Sequence, residues 1–265
     1  MARMKAKTEE MLTALLWGVE VISAPTWRNL DSSFESWAYR NGFQRRLDYL
    51  EREQYLEKGS GVDVGKWVYR LTEKGRLAGL GGRDPERCWN QPWKGQWQMI
   101  LFDIPQRAHA PRVKLWRWLR ANGFGNLQNS LWITPFLDES IIRQWQTDHP
   151  KVSAFAVFEG RPRIGATDAD IVDATWDFLE INASYQHYLD HVAKHPAGNA
   201  GSDEPRGEIL EWIRQEDALW RAAIRTDPLL PRKLLPKGYL GRVAWTRRKK
   251  TWKWVRQNRR GAAGS

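Results

Sequence analysis

The sequence has almost no cysteine and no long apolar run. Cys88 is the only cysteine in 265 residues, which excludes an intramolecular disulfide and a thiolate metal cluster. No apolar stretch reaches the roughly 18 residues needed to span a bilayer. The basic start, Met1 to Lys7, precedes a charged amphipathic segment, whereas a signal peptide continues into an apolar core. These absences predict a cytoplasmic protein without a membrane partner, whose length allows two or three small domains.

Positive charge dominates the composition and is concentrated near the end of the chain. There are 42 Lys and Arg against 31 Asp and Glu, which gives a net charge of +11 and an isoelectric point near 9.9. The segment from Arg242 to Arg260 contains many of these cations and no acidic residue. An excess of this size favours a polyanionic partner, above all double-stranded DNA or another nucleic acid.

Residues 1–82 follow the pattern of a winged helix-turn-helix domain. Residues 8–22 and a segment after Asp31 predict two helices, and an amphipathic third helix is predicted from Phe43 to Glu53. Two β-prone segments, Tyr55–Lys58 and Lys66–Leu71, then surround a glycine-containing turn. The order of helices and hairpin therefore predicts a DNA-binding head.

The third predicted helix has one apolar and one polar face. Phe43, Leu47 and Leu50 recur at helical spacing and predict the buried side. Arginine, glutamine and tyrosine on the other side suit base edges and phosphates, and lysines at the hairpin suit the DNA backbone. The predicted DNA-binding residues are Gln44, Arg45, Arg46, Asp48, Tyr49, Arg52, Lys58 and Lys66. The alternative is a mixed-charge face that is merely solvated.

Residues 83–162 predict a central ferredoxin-like α+β unit. An apolar strand over Trp97–Ile104 precedes a basic helix from Pro111 to Asn122, and a second strand is predicted over Leu127–Thr134. The remaining predicted elements are a helix, Glu139–Gln146, and a strand, Val152–Phe158. After this unit we expect a helical C-terminal domain over 163–241. In it, Thr167 to Asp170 predict a capping box at the start of one helix, and Asp227-Pro228 are expected to end another that begins at Glu208. The chain as a whole is therefore predicted to be of the α+β class.

Residues 242–265 form a basic, tryptophan-rich tail. Trp245, Trp252 and Trp254 alternate with cations, and cations contact phosphates while exposed aromatic rings stack on bases. The predicted DNA-binding residues of the tail are Arg247, Arg248, Lys249 and Lys250. The alternative is an amphipathic helix that buries Trp252 and Val255 and leaves its cations solvated.

Metal ligands and catalytic groups have weak candidates only. Asp103 ends a predicted strand, but phosphoryl chemistry with Mg²⁺ normally needs several converging carboxylates. His187, His191 and His195 recur at a spacing that can chelate Zn²⁺ or Ni²⁺, although a solvated polar stripe is the favoured interpretation. With no glycine-rich phosphate loop and no Ser-His-Asp arrangement, we expect a protein that is not an enzyme and has no cofactor.

Several motifs follow one another in the order found in one known family. They are LTEKGR at 71–76, RDPERCWNQPWKGQWQMILFDIPQ at 83–106, RVKLWRWLRANGFGNLQNSLWITP at 112–135, ATWD at 174–177 and DPLLP at 227–231. Together they resemble the PaaX-like family of phenylacetate-catabolism transcriptional repressors. The resemblance implies a winged-helix head, a ferredoxin-like middle and a helical C-terminal part. It also implies a homodimer on palindromic operator DNA that an aryl-acetyl-CoA releases.

An acyl-CoA effector needs cations for its phosphates and an apolar, aromatic-lined pocket for its acyl group. The candidate residues are Arg112, Arg117, Trp176 and Tyr185. Two departures from the family pattern leave the effector's identity open. Gln54 occupies the helix-to-wing turn, where the family usually has glycine, and the basic tail beyond Arg242 does not belong to the pattern.

The central unit also resembles the small endonuclease-fold subunit of CRISPR adaptation complexes. In that subunit a strand-end aspartate, followed by a basic helix and a glycine-containing turn, can hold a metal ion. Asp103 is in the corresponding place. A metal-dependent nuclease or adaptation-like factor is therefore the alternative function.

Overall fold

The computed structural model of the protein describes residues 12, 44–60, 67–102, 104, 109–149, 155–194 and 206–261. The chain divides into two compact units. The first unit comprises 1–84, 188–221 and 243–265, and the second comprises 85–187 and 222–242. The segments after Asp84 alternate between the two units, and the domain boundaries expected from the sequence stay a prediction.

Helices account for most of the described chain. The α-helices are α1 (Gln44–Arg52), α2 (Glu73–Gly79), α3 (Pro85–Asn90), α4 (His109–Ala121), α5 (Glu139–Asp148), α6 (Asp168–Thr175), α7 (Phe178–Ala193), α8 (Arg206–Thr226) and α9 (Gly241–Gly261). A short 3₁₀-helix lies at Arg232–Leu234. The strands are β1 (Leu56–Ser60), β2 (Trp67–Leu71), β3 (Trp97–Phe102), β4 (Gly125–Gln128), β5 (Leu131–Thr134) and β6 (Phe155–Gly160). The mixed α+β class predicted from the sequence is confirmed.

From residue 44 on, the first unit contains α1, the antiparallel β1–β2 hairpin and α2. Leu56 pairs with Leu71 at the base of the hairpin, and Ser60 pairs with Trp67 nearest its tip. The two helices predicted before residue 42 lie outside the described residues, apart from Leu12, which is helical and fully buried. Residues 61–66, which join the strands, also lie outside them.

The second unit is built on a four-stranded antiparallel sheet in the order β4-β5-β3-β6. Helix α4 connects β3 to β4, and α5 connects β5 to β6. This is the β-α-β-β-α-β arrangement of a ferredoxin-like unit. Its main core contains aliphatic and aromatic side chains from β3, α4, β5, α5 and the segments that follow β3 and α4: Ile100, Phe102, Ile104, Leu115, Leu119, Phe124, Trp132, Ile142 and Trp145.

The prediction of one strand over Leu127–Thr134 is wrong, because this segment belongs to a tight hairpin. Strand β4 begins at Gly125, and β5 begins at Leu131. Asn129 between them has a φ of 45°, a left-handed conformation that asparagine tolerates better than most residues. The Asn126 side chain donates to the carbonyl of Asn129 at 3.0 Å and so closes the turn.

The helix ends of the C-terminal segments follow the sequence signals. Thr167 and Asp170 form the predicted capping box at the start of α6, where each side chain accepts the backbone N–H of the other residue. Helix α8 ends at Thr226, directly before Asp227-Pro228, as predicted. Among the described residues, the structure contains no helix with the length and apolar character needed to cross a membrane.

Candidate nucleic-acid interface

Helix α1 has the amphipathic structure predicted for a DNA-reading helix. Leu47 and Leu50 are 1% and 0% exposed and pack inward. Arg45, Asp48 and Arg52 are exposed. Positions i, i+3 and i+7 lie along one side of a helix, so these three side chains share the outer face.

Tyr49 completes this face and supports Arg52. Tyr49 is half-buried, and the Arg52 guanidinium carbon lies 5.6 Å from the centroid of its ring. The Arg52 Nε also lies 3.6 Å from a Glu53 carboxylate oxygen, but both side chains are exposed and such a pair is weak. The side chains of Gln44 and Arg46 lie outside the described ones. The predicted cluster is therefore assembled on α1 as far as it is described.

A Schellman motif connects α1 to the hairpin. The Tyr55 N–H donates to the Leu50 carbonyl at 2.7 Å, and the Gln54 N–H donates to the Glu51 carbonyl at 2.9 Å. Gln54 takes the left-handed conformation at the end of the helix, with a φ of 59°. Glycine is the usual residue there because it has no Cβ to clash. The departure noted in the sequence therefore coincides with a strained backbone position.

Helix α2 packs against this turn and fixes its position. The Thr72 hydroxyl caps α2 by accepting the Gly75 N–H at 3.0 Å, and it donates to the Gln54 carbonyl at 2.6 Å. The Lys74 Nζ donates to the Glu53 carbonyl at 2.6 Å. A Cβ on Gly75 would lie 2.0 Å from the Tyr55 carbonyl oxygen, so this close approach requires glycine. Thus α1, the hairpin and α2 form one tightly connected element.

The hairpin presents charged side chains to solvent. Glu57 and Arg70 are cross-strand partners with 3.5 Å between their charged groups. Lys58 is exposed on β1. Lys66, the other lysine predicted to follow the DNA backbone, lies outside the described residues.

The tail contains the one clear correction among the predicted DNA contacts. Arg248 is fully buried, with its guanidinium 2.8 Å from Asp217 and 3.4 Å from Glu216. Its Cζ also lies 4.9 Å and 4.6 Å from the ring centroids of Trp220 and Trp252. A guanidinium enclosed in this way is not presented to a phosphate. The other predicted residues of the tail, Arg247, Lys249 and Lys250, are exposed on α9.

Arg248 belongs to an ionic cluster that the sequence analysis missed. Arg221 donates to Asp217 at 2.7 Å, and its two terminal nitrogens lie 3.3 Å and 3.4 Å from the carbonyls of Ala78 and Gly79, at the end of α2. The cluster therefore connects α9, α8 and α2 within the first unit. One signal was available: Arg248 is three residues after Trp245 and four before Trp252, so it shares their face of the helix.

Burial and charge act in opposite directions on the carboxylates of this cluster. Burial raises the pKa of Glu216 to about 7, although the charge of Arg248 acts to lower it. Burial also acts to raise the pKa of Asp217, but Arg248 and Arg221 outweigh it and the pKa is lowered. The Tyr188 hydroxyl donates to Glu216 at 2.8 Å. Asp217 is therefore the firmly ionised partner, and Glu216 is the group that titrates near neutral pH.

The residues predicted to bind an effector lie in the second unit. Arg112 donates to the Ile104 carbonyl at 2.5 Å and is half-buried, whereas Arg117 is exposed on α4. Trp176 is 9% exposed and lies 6.1 Å from Trp97 between ring centroids. Tyr185 is fully buried. Two cations and two aromatic rings are thus present, and their role in effector binding remains a prediction.

Tyr185 is part of a hydrogen-bonded group around a buried carboxylate. Its hydroxyl donates to Asp227 at 2.6 Å, the Tyr239 hydroxyl donates to the same oxygen, and the Leu229 N–H donates to the other oxygen at 2.8 Å. Asp227 is 1% exposed. From the sequence it was interpreted only as the residue that stops α8, because nothing local indicates two distant tyrosines.

The two weak metal candidates that the structure describes, His187 and His191, belong to no metal-binding group. His187 is exposed, while the ring of His191 stacks on Trp212 with centroids 5.3 Å apart. Within the described ranges, no three His, Cys, Asp or Glu side chains are grouped to hold a metal ion. Asp103 and His195 lie outside those ranges, so the nuclease alternative remains a prediction.

Comparisons with known proteins agree with the observed central fold. The family model described as "PaaX protein central Cas2-like domain" matches residues 90–172, which include every strand of the four-stranded sheet. The transcriptional repressor PaaX of Escherichia coli (strain K12) is 25% identical over 199 residues, covering 71% of this chain and 62% of that protein. The match therefore spans less than two-thirds of the length of this relative.

A solved structure extends the likeness in fold. An uncharacterized protein from Mycobacterium tuberculosis superposes with a TM-score of 0.52 at 20% identity, and the match covers 84% of this chain and 83% of that one. At this identity the likeness concerns the fold alone. The family model and the named relative agree with the motifs found in the sequence. Residues 90–172 are similar to the central Cas2-like domain of PaaX proteins, and the chain is similar in sequence to a PaaX transcriptional repressor.

Proposed function

We propose that this protein is a sequence-specific DNA-binding transcriptional repressor. The observation that carries the proposal is the outer face of α1, where Arg45, Asp48, Tyr49 and Arg52 lie together beside a rigidly attached hairpin. The name of the E. coli relative, a transcriptional repressor, supports the same function. The net charge of +11 supports a polyanionic partner.

The side chains of α1 suit the edges of base pairs in the major groove. Arginine donates two hydrogen bonds to guanine, and aspartate accepts one from the amino group of cytosine. Lys58 on the hairpin suits the phosphate backbone. In this proposal α1 is the recognition helix of a winged helix-turn-helix head, and the hairpin is its wing.

We further propose that the repressor acts as a homodimer. Support comes from two large apolar side chains on the same face of β3 and β6: Leu101 and Phe158 are 42% and 51% exposed. Strand β6 is at the edge of the sheet, and an exposed edge with apolar side chains favours association. Phe158→Asp should lower the molar mass in sedimentation equilibrium from that of a dimer to that of a monomer. An unchanged dimer would exclude this surface.

The proposed effector is an aryl-acyl-CoA thioester. Exposed Arg117 and half-buried Arg112 on α4 supply cations for the CoA phosphates, and Trp176 and Tyr185 are the aromatic candidates. Arg117→Ala should raise the thioester concentration that is needed to release DNA. Arg143→Ala, which removes an exposed arginine from α5, is the matched control.

Selection of bound sequences from random duplex DNA tests the function directly. The full chain should enrich a two-fold symmetric motif, and a panel of aryl-acyl-CoA thioesters should contain a member that reduces the enrichment. Arg45→Ala with Arg52→Ala should enrich no motif, because bidentate contacts contribute about 1–3 kcal/mol of discrimination each. Arg143→Ala with Arg225→Ala, two exposed arginines elsewhere, should behave as the wild type. Failure of the wild type to enrich any motif would overturn the proposal.

A further inference from the structure

Helix α9 has a sharply divided surface. Its buried residues recur at the i, i+4, i+7 and i+8 spacing of an inward stripe: Ala244, Trp245, Arg248, Thr251 and Trp252. Its exposed residues include four cations: Arg247, Lys249, Lys250 and Lys253. We call these four residues the α9 cationic face.

The buried side of α9 fixes the direction in which this face points. Arg248 is held by Asp217 and Glu216 on α8 and enclosed by two tryptophan rings. Trp245 packs 5.4 Å from Trp220 between ring centroids. A rotation of α9 about its axis would break the ion pairs and expose the rings. The α9 cationic face is therefore presented to solvent in a defined orientation.

An ordinary solvated face does not explain this charge pattern. No residue of α9 is acidic, and Arg247 with Lys250 and Lys250 with Lys253 are i, i+3 pairs of like charges. Such pairs destabilise a helix by about 0.2–0.5 kcal/mol each. Helix α8 shows the more usual pattern, in which exposed cations alternate with acidic residues: Arg214 lies 3.6 Å from Glu211. A partner that carries negative charge would relieve this repulsion.

We propose that the α9 cationic face is a second DNA-binding surface, which contacts phosphates without reading sequence. The inference rests on the proposed function. It is supported by position, because α1 and nearly all of α9 belong to the same compact unit. Asp217 pairs with both Arg248 and Arg221, and Arg221 reaches the carbonyl end of α2. Helix α2 in turn holds the turn after α1. The two surfaces are thus linked through side chains of one unit, and in this proposal one DNA duplex contacts both of them.

DNA fits the α9 cationic face better than an anionic membrane does. A membrane-surface helix inserts its apolar side into lipid, with tryptophan and leucine at the boundary. In α9 the apolar side faces the protein, and Trp245 and Trp252 are 5% and 2% exposed. A rigid face that exposes cations and keeps its tryptophan side chains buried suits the phosphate backbone of DNA, where each contact releases a counterion.

The salt dependence of DNA affinity measures how many phosphate contacts the α9 cationic face makes. Each phosphate contact contributes about −0.9 to the slope of log affinity against log salt concentration. Arg247→Ala with Lys250→Ala and Lys253→Ala removes three cations and should make the slope shallower by up to about 3. Alanine favours helix and the change removes repulsion, so the thermal unfolding temperature should not fall.

A matched variant separates the surface from net charge. Arg232→Ala with Lys233→Ala and Lys237→Ala also removes one exposed arginine and two exposed lysines, from the second unit. The full-length proteins are titrated with the DNA duplex enriched by selection and with an unrelated duplex, between roughly 50 and 200 mM salt. The α9 variant should lose at least tenfold in affinity for both duplexes and keep their ratio. The matched variant should retain the wild-type slope.

Three results would overturn the inference. The first is an unchanged salt slope in the α9 variant. The second is an equal loss of DNA affinity in the α9 variant and the matched variant, and the third is a loss of affinity for the enriched duplex alone. Vesicles that contain phosphatidylserine form a further arm: vesicle binding that disappears in the α9 variant while DNA binding persists would assign the surface to lipid. Failure of the wild type to bind any DNA would instead contradict the proposed function. Failure of the α9 inference and failure of the proposed function are therefore distinguishable.

Discussion

The two compact units bury acidic side chains in different ways. In the first unit, Glu216 and Asp217 share the interior with the guanidinium groups of Arg248 and Arg221. In the second unit, Asp227 accepts hydrogen bonds from two tyrosine hydroxyls and a backbone N–H. The first arrangement makes stability depend on individual cations and on pH. The second depends on three neutral donors, so that Asp227 keeps two of them when one is removed.

The difference matters for the proposed function because the ionic cluster lies among the elements that would meet DNA. Asp217 connects the α9 helix, through Arg248, to Arg221 and the end of α2. A buried ion pair is weak evidence of net stabilisation, since desolvation offsets its attraction. The free energy of unfolding changes most when one partner of such a pair is removed and the other charge stays buried. Substitutions in the two networks should therefore differ in size.

Replacement of Arg248 should have the largest effect. Arg248→Met leaves Asp217 with a buried charge and one fewer partner, and removal of one member of a buried pair costs about 3–5 kcal/mol. Urea unfolding of the full chain measures the change. Arg247→Met, an exposed neighbour on the same helix, should stay within about 0.5 kcal/mol of the wild type. Equal effects of the two substitutions would contradict the buried position of Arg248.

The pH dependence of the first unit should be the next largest effect. The pKa of Glu216 is raised by burial from 4.5 to about 7, so the folded protein binds more protons than the unfolded chain between these values. The stability contributed by this group is therefore fully present below about pH 4.5 and is lost as the pH rises through 7. At about 1.4 kcal/mol per pKa unit, the loss is about 3 kcal/mol.

Glu216→Gln isolates this contribution. Unfolding free energies of the variant and the wild type should converge or cross between about pH 5 and about pH 8, with the variant gaining relative to the wild type as the pH rises. The pKa of Asp217 is lowered, so its ionisation changes the unfolding free energy in the opposite direction as the pH rises. This contribution is present in both proteins and cancels when they are compared. A difference between the two proteins that is independent of pH would show that Glu216 does not titrate in this range.

The hydrogen-bonded network of the second unit should respond more weakly. Tyr239→Phe removes one donor to Asp227 and leaves the donors from Tyr185 and Leu229 in place. A hydrogen bond to a charged group contributes about 1.5–3 kcal/mol, so the loss should be smaller than that for Arg248→Met. The same urea titration measures it. A loss of 4 kcal/mol or more, on the order of a broken buried ion pair, would remove the contrast between the units.

The smallest effect is expected at the turn after α1. Gln54 has a φ of 59°, where glycine has no steric penalty, so Gln54→Gly should raise the unfolding free energy by about 0.5–1 kcal/mol. Gly75→Ala, which brings a Cβ to 2.0 Å from the Tyr55 carbonyl, should destabilise the same junction. If Gln54→Gly destabilised the protein, the left-handed conformation of Gln54 would be in doubt.

The sequence was most informative where the periodicity of apolar residues decides the structure. Alternation and helical spacing located β3, α4, α5 and α8 to within a few residues, and Thr167 with Asp170 located the start of α6. The β4–β5 hairpin was missed because alternation continues through a turn that contains neither glycine nor proline. Asn129 was the only local signal for it.

The buried charges were missed for a different reason. In a run such as Arg247 to Lys250, composition alone does not distinguish the residue that faces inward. The spacing of Trp245 and Trp252 identifies Arg248, but its partners Glu216 and Asp217 lie far away in the sequence and depend on tertiary packing. The exposed residues of α1 were predictable because Leu47 and Leu50 define the opposite face within one short helix.

The affinity ratio between two DNA duplexes tests the central claim, that α1 reads DNA sequence, most directly. The duplex enriched by selection and a scrambled duplex of equal length are titrated with the wild type and with Arg45→Ala plus Arg52→Ala. Specific sites commonly bind at least about 10³-fold more tightly than unrelated DNA. The ratio should fall toward 1 in the double variant, while affinity for the scrambled duplex changes much less. An unchanged ratio would contradict the assignment of α1 as the recognition helix.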